Sequence, residues 1–161
     1  MDGQSKSDFV FYFPITTRWM DNDMFGHVNN VHYYSYFDSV INQFLIEEAG
    51  FVPQKAEQIG FIVKSSCRYI SPLSYPQKLV GALRVDRIGN SSVDYAVGIF
   101  KESEQLASAV GCLTHVFVDR EFHQPTSIKS DVFWKLVLVL FSGAKTGVLK
   151  SSVFIKKPLV L

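Results

Sequence analysis

The order of hydrophobic periods along the chain predicts an α+β domain, one antiparallel sheet packed on one helix. Two observations carry that expectation. Apolar and aromatic residues recur at spacings of three and four from Tyr33 to Leu45, and a series of period-two segments joined by short polar connections follows. A chain of 161 residues is long enough for one well-cored domain and short for two. Hydrophobic residues at 47% and charged residues at 19% describe an ordinary globular composition rather than a disordered or fibrous one.

The first element is extended. "SDFVFYFPITTRW", ending near Trp19, has the β-branched and aromatic content of a strand. Pro14 cannot donate to a ladder, so part of this strand is expected at a sheet edge. There follows "DNDMFGHVNN", rich in the Asp, Gly and Asn that make turns, with an Asn immediately ahead of the helical period. Tyr33, Phe37, Val40, Ile41, Phe44 and Leu45 then form one wide stripe, with polar residues between and Gly50 just past the end. The pattern predicts a helix of about five turns pressed against a sheet.

From Ile59 the period is two. "IGFIVKSSCRYISPL" is expected to place Ile59, Phe61, Val63, Ser65, Cys67 and Tyr69 on one face. "KLVGALRVDRIG" sets Leu79, Gly81, Leu83 and Val85 against Val80, Ala82, Arg84 and Asp86. "SSVDYAVGIFKE" and "QLASAVGCLTHVFVDR" complete the sheet, with "GNSS" and "KESEQ" as turns. Cys67 and Cys112 lie in alternating apolar segments and are expected to be buried free thiols.

The composition then changes. Residues 1–129 hold 11 Lys and Arg against 14 Asp and Glu, a net of −3, whereas residues 130–161 hold 5 Lys against Asp131 alone, a net of +4. The boundary expected from this shift makes 1–129 the domain and 130–161 an appended apolar and basic tail. Its "VFWKLVLVLF" is too short to span a bilayer as a helix. Docking on the domain or on a partner subunit is favoured over contact with a membrane surface.

Several classes of function are disfavoured at this level. A net charge of +1 gives no reason to expect a nucleic-acid partner. No Cys and His cluster has zinc spacing, and no metal or cofactor is called for. "MDGQSKSD" has neither the apolar core of a secretory signal nor the Arg-rich character of a transit peptide, so a cytoplasmic location is expected.

Three strings together resemble a known family: "DNDMFGHVNNVHYYSYF" leading into the helix, "SPLSYPQKLVGALRVDRIGNSSVDYAVGIF", and the closing "THVFVDR". The chain is similar over about residues 8–128 to the acyl-CoA thioesterases of the hotdog fold, in particular the 4-hydroxybenzoyl-CoA thioesterase-like group. The resemblance implies a curved antiparallel sheet wrapped around one long central helix, and a homodimer or homotetramer with active sites at the subunit interface. It implies hydrolysis of an acyl-CoA thioester to a free acid and coenzyme A, which belongs to the substrate and is not a cofactor.

Carried onto these positions, the family's catalytic carboxylate is Asp23, as nucleophile toward the thioester or as base for water. Its oxyanion donor is the first backbone amide of the helix, at Asn30, where unpaired amides and the helix dipole favour negative charge. His27 matches a histidine assigned to catalysis in related plant acyl carrier protein thioesterases; as a residue of a turn it can equally be a hydrogen-bonded shaping group. Where some bacterial relatives carry a catalytic His, this chain has Asn30. Asp21 reads as a turn carboxylate, Gly26 as a backbone position needing freedom, and Asn29 as a cap or substrate-orienting residue. Tyr33 is a candidate acyl-pocket residue, and Arg87, Ser91 and Ser92 fall in the region where relatives meet coenzyme A. Two other readings stay open: a non-catalytic hotdog protein that binds acyl-CoA or scaffolds, and a thioesterase acting on acyl carrier protein.

Overall fold

The structure is a computed structural model and describes residues 4–143. Five strands form a single antiparallel sheet: β1 (Phe11–Thr16), β2 (Gln58–Tyr69), β3 (Lys78–Ile88), β4 (Ser92–Lys101) and β5 (Ala109–Asp119). Their order across the sheet is β1-β3-β4-β5-β2. β1 therefore lies at an edge, as Pro14 demands, with Pro14 opposite Val80. β1 is shorter than the sequence pattern implied, because one turn of 3-10 helix, Lys6–Asp8, precedes it and another, Trp19–Asp21, follows.

Helix α1 runs over Asn30–Glu47, 18 residues, and buries Tyr33, Tyr36, Phe37, Val40, Ile41, Phe44 and Leu45. It packs on β1, β3 and β4. Close approach to the sheet depends on Gly111: a Cβ there would meet the Phe37 ring at 2.6 Å. The main core lies between α1 and the sheet face carrying Leu79, Leu83, Val85, Tyr95, Val97, Ile99, Leu113 and Phe117. On the opposite face, Phe9 packs with Ala82, Ala96, Phe100, Ala107 and Val110, and the Arg84 guanidinium lies over its ring. The alternation predicted for β3 matches this division.

The alternation predicted for β2 fails halfway. A bulge between Ile62 and Lys64 inserts one residue, so Ile62 pairs with His115 and Ser65 with Leu113. Gly60 and Ile62, rather than Ile59, Phe61 and Val63, share a face with Ser65, Cys67 and Tyr69. The thiols also differ from expectation. Both are free, but Cys67 is only half-buried, and Cys112 is exposed because it stands opposite Ser66 on the face away from α1.

A second helix, α2 (Ser130–Gly143), lies beyond residue 129 and packs against β3. Val132, Leu136 and Val137 join the main core, while Trp134 and Leu138 are exposed. No helix among the described residues is long and apolar enough to cross a membrane. The basic end of the tail, residues 144–161, and any membrane contact it makes lie outside the described residues.

Candidate active site

The segment from Thr17 to Asn29 joins β1 to α1 and is organised around a buried carboxylate. Asp21 is fully buried. It accepts hydrogen bonds from the Arg18 amide at 2.8 Å, Arg18 Nε at 2.9 Å and the Tyr36 hydroxyl at 2.7 Å. The Asp21 carbonyl also accepts the Asn29 amide at 2.8 Å. Burial by itself would raise the carboxyl pKa, but the bonds from Arg18 and Tyr36 outweigh it and hold it below its ordinary value. Asp21 thus ties the loop to the side of α1, in keeping with its reading as a turn carboxylate.

Asp23 organises the tip. Its Oδ1 accepts the Phe25 amide at 2.8 Å and the His27 amide at 3.3 Å, while its own N–H donates to the His27 carbonyl at 2.8 Å. The Gly26 amide closes the turn on the Asp23 carbonyl at 3.1 Å, with Gly26 at φ +79°, a conformation that side chains disfavour. The Val28 amide then donates to the Leu73 carbonyl at 2.7 Å, and Asn22 Oδ1 accepts the Tyr75 amide at 3.0 Å. These two bonds attach the loop to the segment leaving β2.

Asn29 caps α1, its Oδ1 accepting the Val31 amide at 3.3 Å. The amide of Asn30 sits at the first helical position, where no intrahelical acceptor exists and the helix dipole is positive. There an open cleft of about 330 Å³ is lined by His27, Val28, Asn30, Tyr33, Tyr69, Ile70, Ser71 and Pro72. Tyr69 crosses it: the ring meets Tyr33 edge-on at 5.0 Å, and the hydroxyl donates to the Asn30 carbonyl at 3.4 Å. Burial, reinforced by the neighbouring Cys67 thiol, pushes the Tyr69 phenol up to about 12, so it is a donor at neutral pH.

Of the residues expected from sequence, His27, Asn30 and Tyr33 come together at the cleft. Asp23 and Gly26 belong to the preceding turn and Asn29 to the helix cap, and none of the three lines the cleft. Arg87, Ser91 and Ser92 lie at the β3–β4 turn, at the opposite end of the sheet within the same subunit. Arg87 is engaged there with Asp94 at 2.6 Å and Ser92 at 3.2 Å. Tyr69 was not singled out from sequence, although its place at the end of a strand beside the "ISPL" turn signalled it. The Tyr36 clamp on Asp21 had no sequence signal, because Tyr36 belongs to the same aromatic run as the core residues. Among the described residues, no cluster of three His, Cys, Asp or Glu is placed to hold a metal. A second cavity, of about 210 Å³, lies at the far end of α1 against Phe51, Phe117 and Val132 and contains none of these residues.

Residues 17–136, from the start of this loop into α2, match the thioesterase-like superfamily. The crystal structure of the PA5185 protein from Pseudomonas aeruginosa is similar at 43% identity and a TM-score of 0.82, covering 84% of this chain and 94% of that one. Slr0204 from Synechocystis, a 1,4-dihydroxy-2-naphthoyl-CoA thioesterase, shares the fold at 15% identity and a TM-score of 0.71, covering 79% of this chain and 95% of that one. An uncharacterized Bacillus subtilis protein, YsmA, is 24% identical over 88 residues, 55% of this chain, and the match spans only 59% of its length. The match from the start of the loop through the sheet and into α2 identifies this chain as a member of the thioesterase-like superfamily.

Proposed function

We propose that the protein hydrolyses an acyl-CoA thioester in the cleft at the N-terminus of α1. The observation that carries this reading is the meeting, in a member of this superfamily, of a histidine and the start of a capped helix at one open cleft, with the turn that Asp23 organises immediately before them. Asp23 acts as nucleophile or as base for water; two amides fix it through a single oxygen, Oδ1. The Asn30 amide receives the charge that develops on the thioester oxygen, and no other donor needs to reorganise as the charge forms. His27, which lines the cleft, exchanges a proton with the leaving thiolate or with water. Coenzyme A is supported as leaving group by the activity of Slr0204 on a CoA thioester.

The same reading makes α1 the central helix of a hotdog subunit and completes the site by a second copy. In a single subunit the cleft is open and the face of β2 beside it is uncovered, with Ile62 45% and Tyr69 48% exposed. Antiparallel pairing of two β2 edges would close the groove. It would also bring the far end of the partner's sheet, with its Arg87 to Ser92 turn, nearer to the cleft. Arg87 and the two serines then become candidates for the coenzyme A phosphates.

A thiol-release assay across a panel of acyl-CoA substrates tests the reading, with Asp23→Asn as control. The variant is expected to lose about a hundredfold or more in kcat. Its fold is expected to survive, because an Asn Oδ1 accepts the same two amides. Near-normal turnover by Asp23→Asn would eliminate this mechanism, and absence of release from every substrate would favour a binding role.

A further inference from the structure

Tyr69 stands where β2 ends against the start of α1, and its side chain joins the two walls of the cleft. The ring meets Tyr33 edge-on at 5.0 Å, and the hydroxyl reaches the Asn30 carbonyl at 3.4 Å. Tyr33 is itself held in place: it is buried in the main core and leans on Tyr36, with ring centroids 6.2 Å apart. The backbone that carries Tyr69 is also fixed. Tyr69 pairs with Ala109, and the amides of Ile70 and Ser71 both donate to the Ser108 carbonyl, at 2.8 and 3.0 Å. The Ser71 and Ser108 hydroxyls bond at 3.0 Å, and Ser108 is fully buried.

That rigidity bears on how much acyl chain the cleft can hold. Its volume, about 330 Å³, lies at the low end for small-molecule sites, which run from about 300 to about 1,000 Å³. The apolar part of its lining is Val28, Tyr33, Tyr69, Ile70 and Pro72. Tyr69 is half-exposed, so its ring is a surface that a bound substrate touches. Asn30 supplies the amide assigned above to the thioester oxygen, and the Tyr69 hydroxyl touches the carbonyl of that same residue. The acyl carbons nearest the thioester therefore lie beside the Tyr69 ring, and a longer chain has to displace it.

We propose that Tyr69 sets the acyl length, its ring stopping the cleft so that short acyl groups of the butanoyl to hexanoyl class are accepted and longer chains are rejected. The inference rests on the thioesterase reading of the cleft and names the acyl class of that site. A ring held by Tyr33, Asn30 and the pairing of its own strand does not turn aside without giving up those contacts. A single methylene gained or lost in an apolar pocket changes kcat/KM by about 10–200-fold, so a fixed stop is enough to separate chain lengths. The ring is the stop and the hydroxyl only steadies it, which allows the two to be tested apart.

The test measures kcat/KM for butanoyl-, hexanoyl-, octanoyl- and decanoyl-CoA with the full-length protein and its Tyr69 variants. The wild type is expected to favour butanoyl over decanoyl by about tenfold or more. Tyr69→Ala, which removes the ring, should shift that ratio toward decanoyl by about tenfold or more, and Tyr69→Leu should shift it the same way by a smaller factor. Tyr69→Phe, which keeps the ring, should retain the wild-type order of chain lengths. A merely structural role for Tyr69 would lower all the substrates together, so an unchanged ratio in Tyr69→Ala and Tyr69→Leu overturns the proposal. Loss of the order in Tyr69→Phe, or a wild type that handles all lengths equally or prefers decanoyl, overturns it as well. Circular dichroism establishes that each variant is folded, and Tyr69→Leu decides alone where the alanine variant is not. Thioether analogues of the same chain lengths, which cannot be hydrolysed, are titrated by calorimetry in parallel. If no thioester is cleaved, the thioesterase reading fails by itself, and the binding ratio of the analogues still decides whether Tyr69 limits acyl length.

Discussion

The hydroxyl of Tyr36, in the second turn of α1, donates a 2.7 Å hydrogen bond to the buried carboxylate of Asp21, fifteen residues earlier in the chain. That bond fixes the loop between β1 and α1 to the helix whose first residue, Asn30, lines the cleft. Hydrogen bonds to charged groups contribute about 1.5–3 kcal/mol. Tyr36→Phe is therefore expected to lower unfolding free energy by roughly that amount in urea titrations, and to reduce turnover by loosening the loop. Unchanged stability would show that Arg18 alone holds Asp21.

The same carboxylate sets an acid limit. Its folded pKa lies below the ordinary 3.8, so the stabilisation is present above 3.8 and is lost as pH falls through the folded value. Asp21→Asn removes that dependence at the cost of a lower plateau. Thermal melts between neutral pH and pH ~2 should show a steeper acid decline for the wild type than for the variant.

His115 acts at higher pH and with the same sign. Burial lowers its pKa below 6.5, with the Asp38 carboxylate on α1 partly opposing the shift. The unfolded chain takes up the proton first. Stability should be complete above pH 6.5 and decline as pH drops from there toward the folded value. In His115→Leu the decline in this window should be smaller than in the wild type, as judged by melts at constant ionic strength.

Exposed apolar side chains on β2 point to pairing between subunits. Phe61, Ile62 and Val63 are 43%, 45% and 60% exposed on a strand at the sheet edge. Sedimentation is expected to give a dimer or tetramer. Val63→Glu, which places a charge at the bulge, should shift the protein toward monomer and cut turnover about tenfold or more. A monomer with full activity would contradict a site completed between copies.

Cutting after Lys129 removes α2 but leaves all five strands and the loop from Thr17 to Asn29. Val132, Leu136 and Val137 are nearly or fully buried in the main core. At about 1.5–3 kcal/mol per fully buried large side chain, an upper estimate, their loss should lower unfolding free energy by several kcal/mol. The shortened chain is expected to remain folded and active with a lower Tm. Insolubility under conditions that keep the full chain soluble would place α2 inside the domain.

Local chemistry made much of this protein legible. Five turns of apolar period gave α1 because its buried stripe is written at spacings of three and four. Asn29 announced the cap, and the Asp-Gly-Asn content announced the turn that Asp23 and Gly26 form. The strands of the sheet were visible for the same reason, since one buried face imposes a period of two. Three features depended on tertiary structure. The bulge in β2 moved Gly60 and Ile62 onto the face shared with Ser65, Cys67 and Tyr69, and a one-residue insertion leaves no periodic trace until its partner strand is known. Burial of Asp21 under Tyr36, and the meeting of Tyr69 with Tyr33 over Asn30, join residues far apart in the chain, and their side chains give no hint of the distance they cross. That the buried Tyr95 hydroxyl and His115 ring nitrogens have no hydrogen-bond partner among the described residues emerged last, because whether a polar group has a partner is a property of its neighbours in space and not of the strand that carries it.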